Sequence, residues 1–232
     1  MSNRLVLITG AAGHLGRAVA AEFARAGERL ALLARSREQL QALYGAEDSL
    51  HLFVAADLLD PASLQQAVHN LEARAGGIDV LCNVAGGFAM GDPVHATAPG
   101  TWQQMHDINV RTLLNAVQAV VPGMVARRRG KVVNVGSYAA LQGSANMGAY
   151  VASKSEVMRI TEAMAAELRE QGVNVNCVLP TIIDTPDNRA AMPKADAARW
   201  VAPAQLAKVI SFLASDPASA VHGACIPVRG LS

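Results

Sequence analysis

The chain of 232 residues is poor in aromatic residues, 4% of the total, although 51% of it is hydrophobic. Its apolar content is therefore Ala, Val, Leu and Ile, which suits helices packed on a buried parallel sheet. It has three cysteines, Cys82, Cys177 and Cys225. They lack metal-ligand spacing and each lies in an apolar run, as buried thiols of a reducing compartment do. The six histidines, His14, His51, His69, His95, His106 and His222, do not pair on one face, so no metal site is expected. Net charge is only +1. The one basic block, Arg127 to Arg129, stands just before a glycine, where cations complement a helix end. It is too narrow for the basic face that a duplex needs, so no nucleic-acid partner is expected. No segment has the uninterrupted apolar length of a membrane span, and the start MSNRLVLITG has no long apolar core of a secretory leader. The expectation is a cytoplasmic protein without a membrane partner.

What is present is alternation. Short β-branched or leucine-rich runs predict strands at Leu5–Thr9, Leu30–Ala34, Leu50–Ala55, Val80–Asn83, Lys131–Val135, Val173–Val178 and Ala224–Pro227. Ala-rich amphipathic stretches predict helices at His14–Ala26, Arg37–Tyr44, Pro61–Ala75, Thr101–Ala126, Ala149–Gln171 and Pro203–Ala214. This order implies a mostly parallel sheet with helices on both faces. With no linker or repeat, residues 1–232 read as one domain. Two stretches, Gly86–Pro99 and Pro180–Arg199, resist assignment and are long for loops, a mark of function or mobility. Both leave carboxyl ends of predicted strands, where open parallel sheets bind ligands.

The first strand runs into ITGAAGHLG, with Gly10, Gly13 and Gly16. Glycines here permit a tight turn, close approach to a pyrophosphate and close packing of helix on strand, and the helix N-terminus presents free N–H groups. The spacing alone is weak, but it follows a predicted strand and opens a helix, the context that gives it meaning. The second strand ends LLARSRE. An NAD site usually places an acid there; this chain has Ala34 and then Arg35, which favours the 2′-phosphate of NADP. Capping of a surface helix is the plainer reading of those arginines. Asp57, in AADL, is placed to accept from the adenine amino group. NVAGG, Asn83 to Gly87, ends the fourth strand and would let backbone lie against the adenosine ribose.

The fifth strand ends VVNVGS, which puts Ser137 at a sheet carboxyl end. Tyr150 and Lys154, in AYVASK, sit four apart on one helix face. Asn109 lies in the long fourth helix. Each alone reads as a turn serine, a buried amide or a solvated face; four at one end of the predicted sheet is another matter. Carbonyl reduction leaves an alkoxide to be protonated. A free tyrosine, with a pKa near about 10, is a poor base, and a nearby ammonium or oxidised nicotinamide shifts it down. Ser137 can donate to the developing oxyanion.

With TGAAGHLG, NVAGG, Asn109, Ser137, YVASK and LPTIIDTP together, the chain resembles a compact short-chain dehydrogenase/reductase along essentially its whole length. The resemblance implies a single-domain Rossmann fold with a seven-stranded, doubly wound parallel sheet. It implies Tyr150 as general acid/base, Ser137 on the substrate carbonyl, Lys154 on the nicotinamide ribose and Asn109 holding a relay water. Cofactor contacts are implied at Gly10, Gly13, His14, Leu15, Gly16, Arg35, Asp57, Leu58, Asn83, Ala85, Gly86, Tyr150, Lys154, Pro180 and Ile183. It also implies a homotetramer or homodimer packed through the helices of Asn109 and Tyr150.

The chain departs from that pattern in places. The glycine turn is TGxxGxxG, with His14 where compact members place a glycine. Pro180-Thr181 replaces the usual Pro-Gly. The segment from Ile182 to Pro203 resembles dihydropteridine reductases, which generally lack the serine and prefer NADH; Ser137 and the absent acid argue the other way. His95, Met90, Met147, Met192 and Trp200 are candidate pocket residues. Apart from Asp184, Asp187 and Arg189, few charges are placed to hold a charged substrate. The reading is an NADP-linked oxidoreductase of an uncharged or thioester-borne carbonyl or alcohol compound. A dihydropteridine reductase-like enzyme and a non-catalytic dinucleotide-binding protein are the alternatives.

Overall fold

Each central strand carries apolar residues on both faces, as a sheet covered on both sides requires. In β1 (Leu5–Thr9), Leu5 and Leu7 join one core and Val6 and Ile8 the other, all buried. The structure, a computed structural model, describes residues 4–232; the first three residues of the start read as leaderless, Met1, Ser2 and Asn3, lie outside the described residues. With β1, the strands β2 (Arg29–Ala34), β3 (His51–Ala55), β4 (Val80–Asn83), β5 (Gly130–Val135), β6 (Val173–Pro180) and β7 (Cys225–Val228) form one sheet ordered β3-β2-β1-β4-β5-β6-β7. Every pairing is parallel. Strand order reverses between β1 and β4, which opens a crevice beyond their carboxyl ends. This is the expected doubly wound sheet, with strand ends within about two residues of those read from periodicity.

The helices are α1 (His14–Arg25), α2 (Arg37–Tyr44), α3 (Pro61–Ala75), α4 (Pro99–His106), α5 (Thr112–Ala126), α6 (Gly148–Leu168), α7 (Pro186–Ala191) and α8 (Pro203–Leu213). Val19 and Phe23 of α1 and Leu206 and Ile210 of α8 cover one face of the sheet. Leu64 and Val68 of α3, Val120 and Met124 of α5, and Met164 of α6 cover the other. Each such side chain contributes roughly 1.5–3 kcal/mol of burial. Local signals set the ends: the Asp60 carboxylate accepts from the N–H groups of Ala62 and Ser63 with Pro61 first in α3, and Gly76 closes it at positive φ.

Two elements differ from expectation. The single helix expected over Thr101–Ala126 begins at Pro99 and is interrupted by a π turn over Asp107–Arg111. The cause is distant in sequence: Asn109, inside that turn, bonds the backbone of Gly87, accepting from its N–H at 3.0 Å and donating to its carbonyl at 3.1 Å. The second is α7, inside the stretch expected as loop. Thr185 caps it by accepting from the Asn188 N–H, and Pro186 is its first residue.

Inside the apolar layer a polar ladder links sheet to helix. The Asn83 amide donates to Asn134 on β5 at 2.9 Å, and the Asn134 amide donates to Thr161 on α6 at 2.9 Å. Thr161 in turn donates to the Val157 carbonyl at 2.8 Å. All three side chains are buried.

Candidate active site

The glycine turn leaves β1 and meets the exit of β4 at backbone contact. A Cβ on Gly10, whose φ is +65°, would lie 2.8 Å from Ala85 Cα. Thr9 pins the two together: its hydroxyl accepts from the N–H groups of Val84 and Ala85, at 3.0 and 3.2 Å. Thr9 was not among the candidates, although its place before the first glycine, one residue past the apolar run, was a signal. A Cβ on Gly16 would sit 2.2 Å from the Gly10 carbonyl oxygen, so α1 can pack on the turn only without one. Gly13 is the N-cap of α1, with no side-chain cap and no acid in the first turn. The N-terminus of α1 is thus left to an external anion, which fits a pyrophosphate. His14, the first helical residue, keeps a half-exposed ring, 3.8 Å from a carboxylate oxygen of Asp187 on α7. Leu15 buries its side chain in the core, so only its backbone faces the crevice.

Farther along the crevice, Arg35 is exposed just beyond Ala34 and makes no ion pair among the described residues. Arg37 is committed elsewhere, paired with Glu47 and lying over the Phe53 ring. Asp57 is exposed and uses one oxygen on the Leu59 N–H, while the Leu58 carbonyl accepts from Asn115 of α5. The Asn83 side chain turns inward to the ladder, so its backbone is what it offers to the crevice. Pro180 ends β6, and Ile183 bridges to Val201.

Beyond β5 and β4 the four chemical candidates converge. Asn109 Oδ1 and Lys154 Nζ come together over Gly86, where a Cβ would lie 2.9 Å from the first and 3.2 Å from the second. The Asn109 amide also donates to Ser153 at 3.1 Å, and Ser153 donates to the Tyr150 carbonyl at 2.8 Å. Ser153 is a further residue that the sequence reading passed over. Ser137, buried, faces the Tyr150 phenol closely enough to pull its pKa down. Phe88 meets the Tyr150 ring edge to face, with centroids 4.8 Å apart.

The electrostatics differ from expectation. Burial dominates and pushes the Tyr150 phenol up, with Ser137 opposing. Lys154 does not offset this, because its ammonium is itself enclosed, donates to the Val135 carbonyl at 2.8 Å and is pushed down to about 8 by burial. The phenol is therefore held protonated near neutrality, the form in which it can donate.

The lysine has a measurable signature. An unfolded lysine titrates near about 10.4. Between about pH 8 and 10 the unfolded chain thus binds more protons at Lys154 than the folded one, so this group makes stability rise with pH. Lys154→Met, uncharged throughout, lacks that rise. Urea unfolding from about pH 8 to 9 is expected to shift the stability difference toward the parent by up to about 1 kcal/mol. A constant difference would mean that the ammonium is solvated.

Of the candidate pocket residues, Met90 and His95 are exposed in the loop after Gly87, and Met147 and Met192 are half-buried. Trp200 is buried. Asp184 and Arg189 pair with each other, at 2.6 and 2.8 Å. Among the described residues no group of three or more His, Cys, Asp or Glu side chains could hold a metal, and no helix is long and apolar enough to cross a membrane.

A family model described as short chain dehydrogenase matches residues 4–196. D-threitol dehydrogenase of Mycolicibacterium smegmatis is 34% identical over 242 residues, covering 99% of this chain and 93% of that one. A 3-oxoacyl-acyl-carrier-protein reductase of Thermotoga maritima is 31% identical over 241 residues, covering 99% and 98%. Among solved structures, a gluconate 5-dehydrogenase from Burkholderia cenocepacia in complex with NADP and tartrate superposes with a TM-score of 0.91 at 28% identity, covering 99% of this chain and 95% of that one. Fold, crevice and relatives agree: the chain belongs to the short-chain dehydrogenase family, oxidoreductases that act on CH–OH and C=O groups.

Proposed function

We propose that this chain is an NADPH-linked reductase of an uncharged ketone. Two pairs carry the reading: Asn109 and Lys154 meet over Gly86, and Ser137 faces the Tyr150 phenol. A bound nicotinamide cofactor supplies hydride to the carbonyl carbon. Ser137 donates to the carbonyl oxygen and holds it toward Tyr150, whose protonated phenol delivers the proton to the alkoxide. Lys154, one helical turn beyond Tyr150, is placed to bind a ribose hydroxyl. The Asn109 amide is spent on Gly87 and Ser153, so its part is to fix the loop that floors the site.

The preference for NADPH is supported by Arg35, exposed and free of carboxylates where an NAD site places an acid. The neighbour bound to NADP has the same fold over nearly its whole length. Hydrogen bonds to charged groups are worth about 1.5–3 kcal/mol. Arg35→Asp is therefore expected to lower the kcat/KM ratio of NADPH to NADH by about 10- to 100-fold. An unchanged ratio would assign Arg35 to the surface alone.

An apolar substrate is supported by the mouth of the site. Phe88, Met90 and Val94 of one loop and Leu141 after Ser137 are large hydrophobic side chains left exposed, and such clusters mark binding surfaces. The test is consumption of NADPH and NADH at matched concentrations against acetoacetyl thioesters, diketones, quinones and quinonoid dihydropterin. NADPH oxidation with a ketone is the expected result. Activity confined to NADH and the dihydropterin would favour the pteridine reading. Tight NADPH binding with no turnover would favour a binding protein.

A further inference from the structure

Two thiols lie beneath the site, outside the chemistry assigned above. Cys177 on β6 and Cys225, the first residue of β7, are direct register partners in adjacent parallel strands. Register partners project to the same face, and adjacent strands lie about 4.8 Å apart. That spacing falls within the roughly 4.4–6.8 Å between Cα atoms that a disulfide spans. Cys177 is fully buried in the small core under α5 and α6, and Cys225, half-buried, packs against that core. β7 is an edge strand and pairs, among the described residues, with β6 alone, so it can shift without breaking a second ladder.

The two sulfurs are unequal. The Cys177 thiol supports the Cys225 thiolate, which lowers the pKa of Cys225 and raises that of Cys177. Glu162 opposes the Cys225 thiolate and Arg159 assists it, both from α6. The partly exposed sulfur is thus the better nucleophile, and the enclosed one sits behind it as a resolving thiol. Cys82 supplies an internal contrast: it is fully buried on β4 in the opposite core, with its thiol pushed up to about 12 by burial.

The pair also touches the site. A Cβ on Gly136 would lie 3.0 Å from Cys177 Sγ, and Gly136 immediately precedes Ser137. Gly136 is further tied to β6, its N–H donating to the Val178 carbonyl at 2.9 Å. Any movement of Cys177 is felt at the backbone that aims Ser137.

We propose that Cys177 and Cys225 form a dithiol that a peroxide closes to a disulfide, and that closure slows turnover by shifting the support of Ser137. The Cys225 thiolate attacks one peroxide oxygen; the O–O bond breaks, hydroxide leaves and Cys225 becomes a sulfenic acid. Cys177 sulfur then attacks Cys225 sulfur. The S–S bond forms, and the sulfenic hydroxyl leaves as water with the proton from Cys177. Two thiols lose two electrons in all, and the peroxide is reduced to two waters. A small dithiol reverses the change.

The test is hydrogen peroxide in slight excess on the native protein, followed by intact mass, peptide mapping and activity. Expected are the loss of two hydrogens, a cross-linked Cys177–Cys225 peptide, one remaining titratable thiol at Cys82, and a several-fold fall in kcat/KM that dithiothreitol restores. Cys225→Ser and Cys177→Ala should each abolish the cross-link and the reversible inhibition, and Cys82→Ser should keep both. Oxidation that stops at a sulfenic or sulfinic acid on Cys225, with no cross-link, overturns the proposal. So does a complete cross-link that leaves activity unchanged. The effect on rate rests on the reductase reading; the cross-link is read by mass whether or not a ketone is reduced, so the two failures are separate results.

Discussion

Tyr150→Phe is expected to lower kcat for ketone reduction by about 10²- to 10⁴-fold, the range that one proton-transferring group supplies. The substitution is unusually clean here. The ring stays, and with it the edge-to-face contact with Phe88 at 4.8 Å. The helix backbone stays, and with it the bond from Ser153 to the carbonyl of residue 150. Only the hydroxyl facing Ser137 is lost. NADPH affinity, read by quenching or enhancement of its fluorescence, is therefore expected to change by no more than about fivefold, since a lost neutral hydrogen bond is worth about 1 kcal/mol at most contacts. Thermal stability should hold. Turnover at the parent rate would remove Tyr150 from the chemistry; a parallel loss of cofactor binding would make it a ribose contact first and an acid second.

Gly16→Ala is expected to be the most damaging single change in the cofactor crevice. Its added Cβ would stand 2.2 Å from the Gly10 carbonyl oxygen and 2.8 Å from Ala11 Cα. Both are backbone atoms of the turn, so no side chain can swing aside, and α1 must lift away from β1. Overpacking that side chains can absorb costs about 1–3 kcal/mol, and this site lacks that relief. Loss of folding, or a fold with NADPH affinity reduced by about 100-fold or more, is the expected outcome of paired urea and NADPH titrations. Gly13→Ala is the contrast: its Cβ would meet only the Gly10 oxygen, at 3.4 Å, an ordinary contact. If the two variants behave alike, the turn is more pliant than its packing implies.

The strands were legible because their residues are buried on both faces, which leaves uninterrupted apolar runs such as LVLIT and RLALLA. The strand end at Ser137 and the four-residue spacing of Tyr150 and Lys154 were legible in the sequence, whereas Asn109 was tied to them by the family resemblance. What escaped depended on contacts between distant segments. The π turn exists because Asn109 reaches Gly87, 22 residues away, and no periodicity in DINVR announces it. α7 has six residues, too few to show a period, although Thr185-Pro186 is a helix-start signal that could have been used. The direction of the Tyr150 shift escaped for a different reason. Charge proximity can be inferred from sequence, whereas enclosure of both the phenol and its lysine cannot.

The Asn83–Asn134–Thr161 ladder has a consequence for where α6 can sit. An apolar helix on an apolar sheet has many nearly equivalent docking positions, differing by a residue of slide or a turn of rotation. One residue of slip rotates a helix by about 100°. Thr161 would then leave Asn134 without its acceptor in a buried layer, at about 1–3 kcal/mol for each orphaned group. The ladder acts as a keyway: it adds little to how firmly α6 is held and much to which of the possible seats it takes. Tyr150 and Lys154 ride on that same helix, about three and two turns upstream of the key. Where the phenol and the ammonium stand in the site is thus set by three polar side chains buried in the layer between sheet and helix.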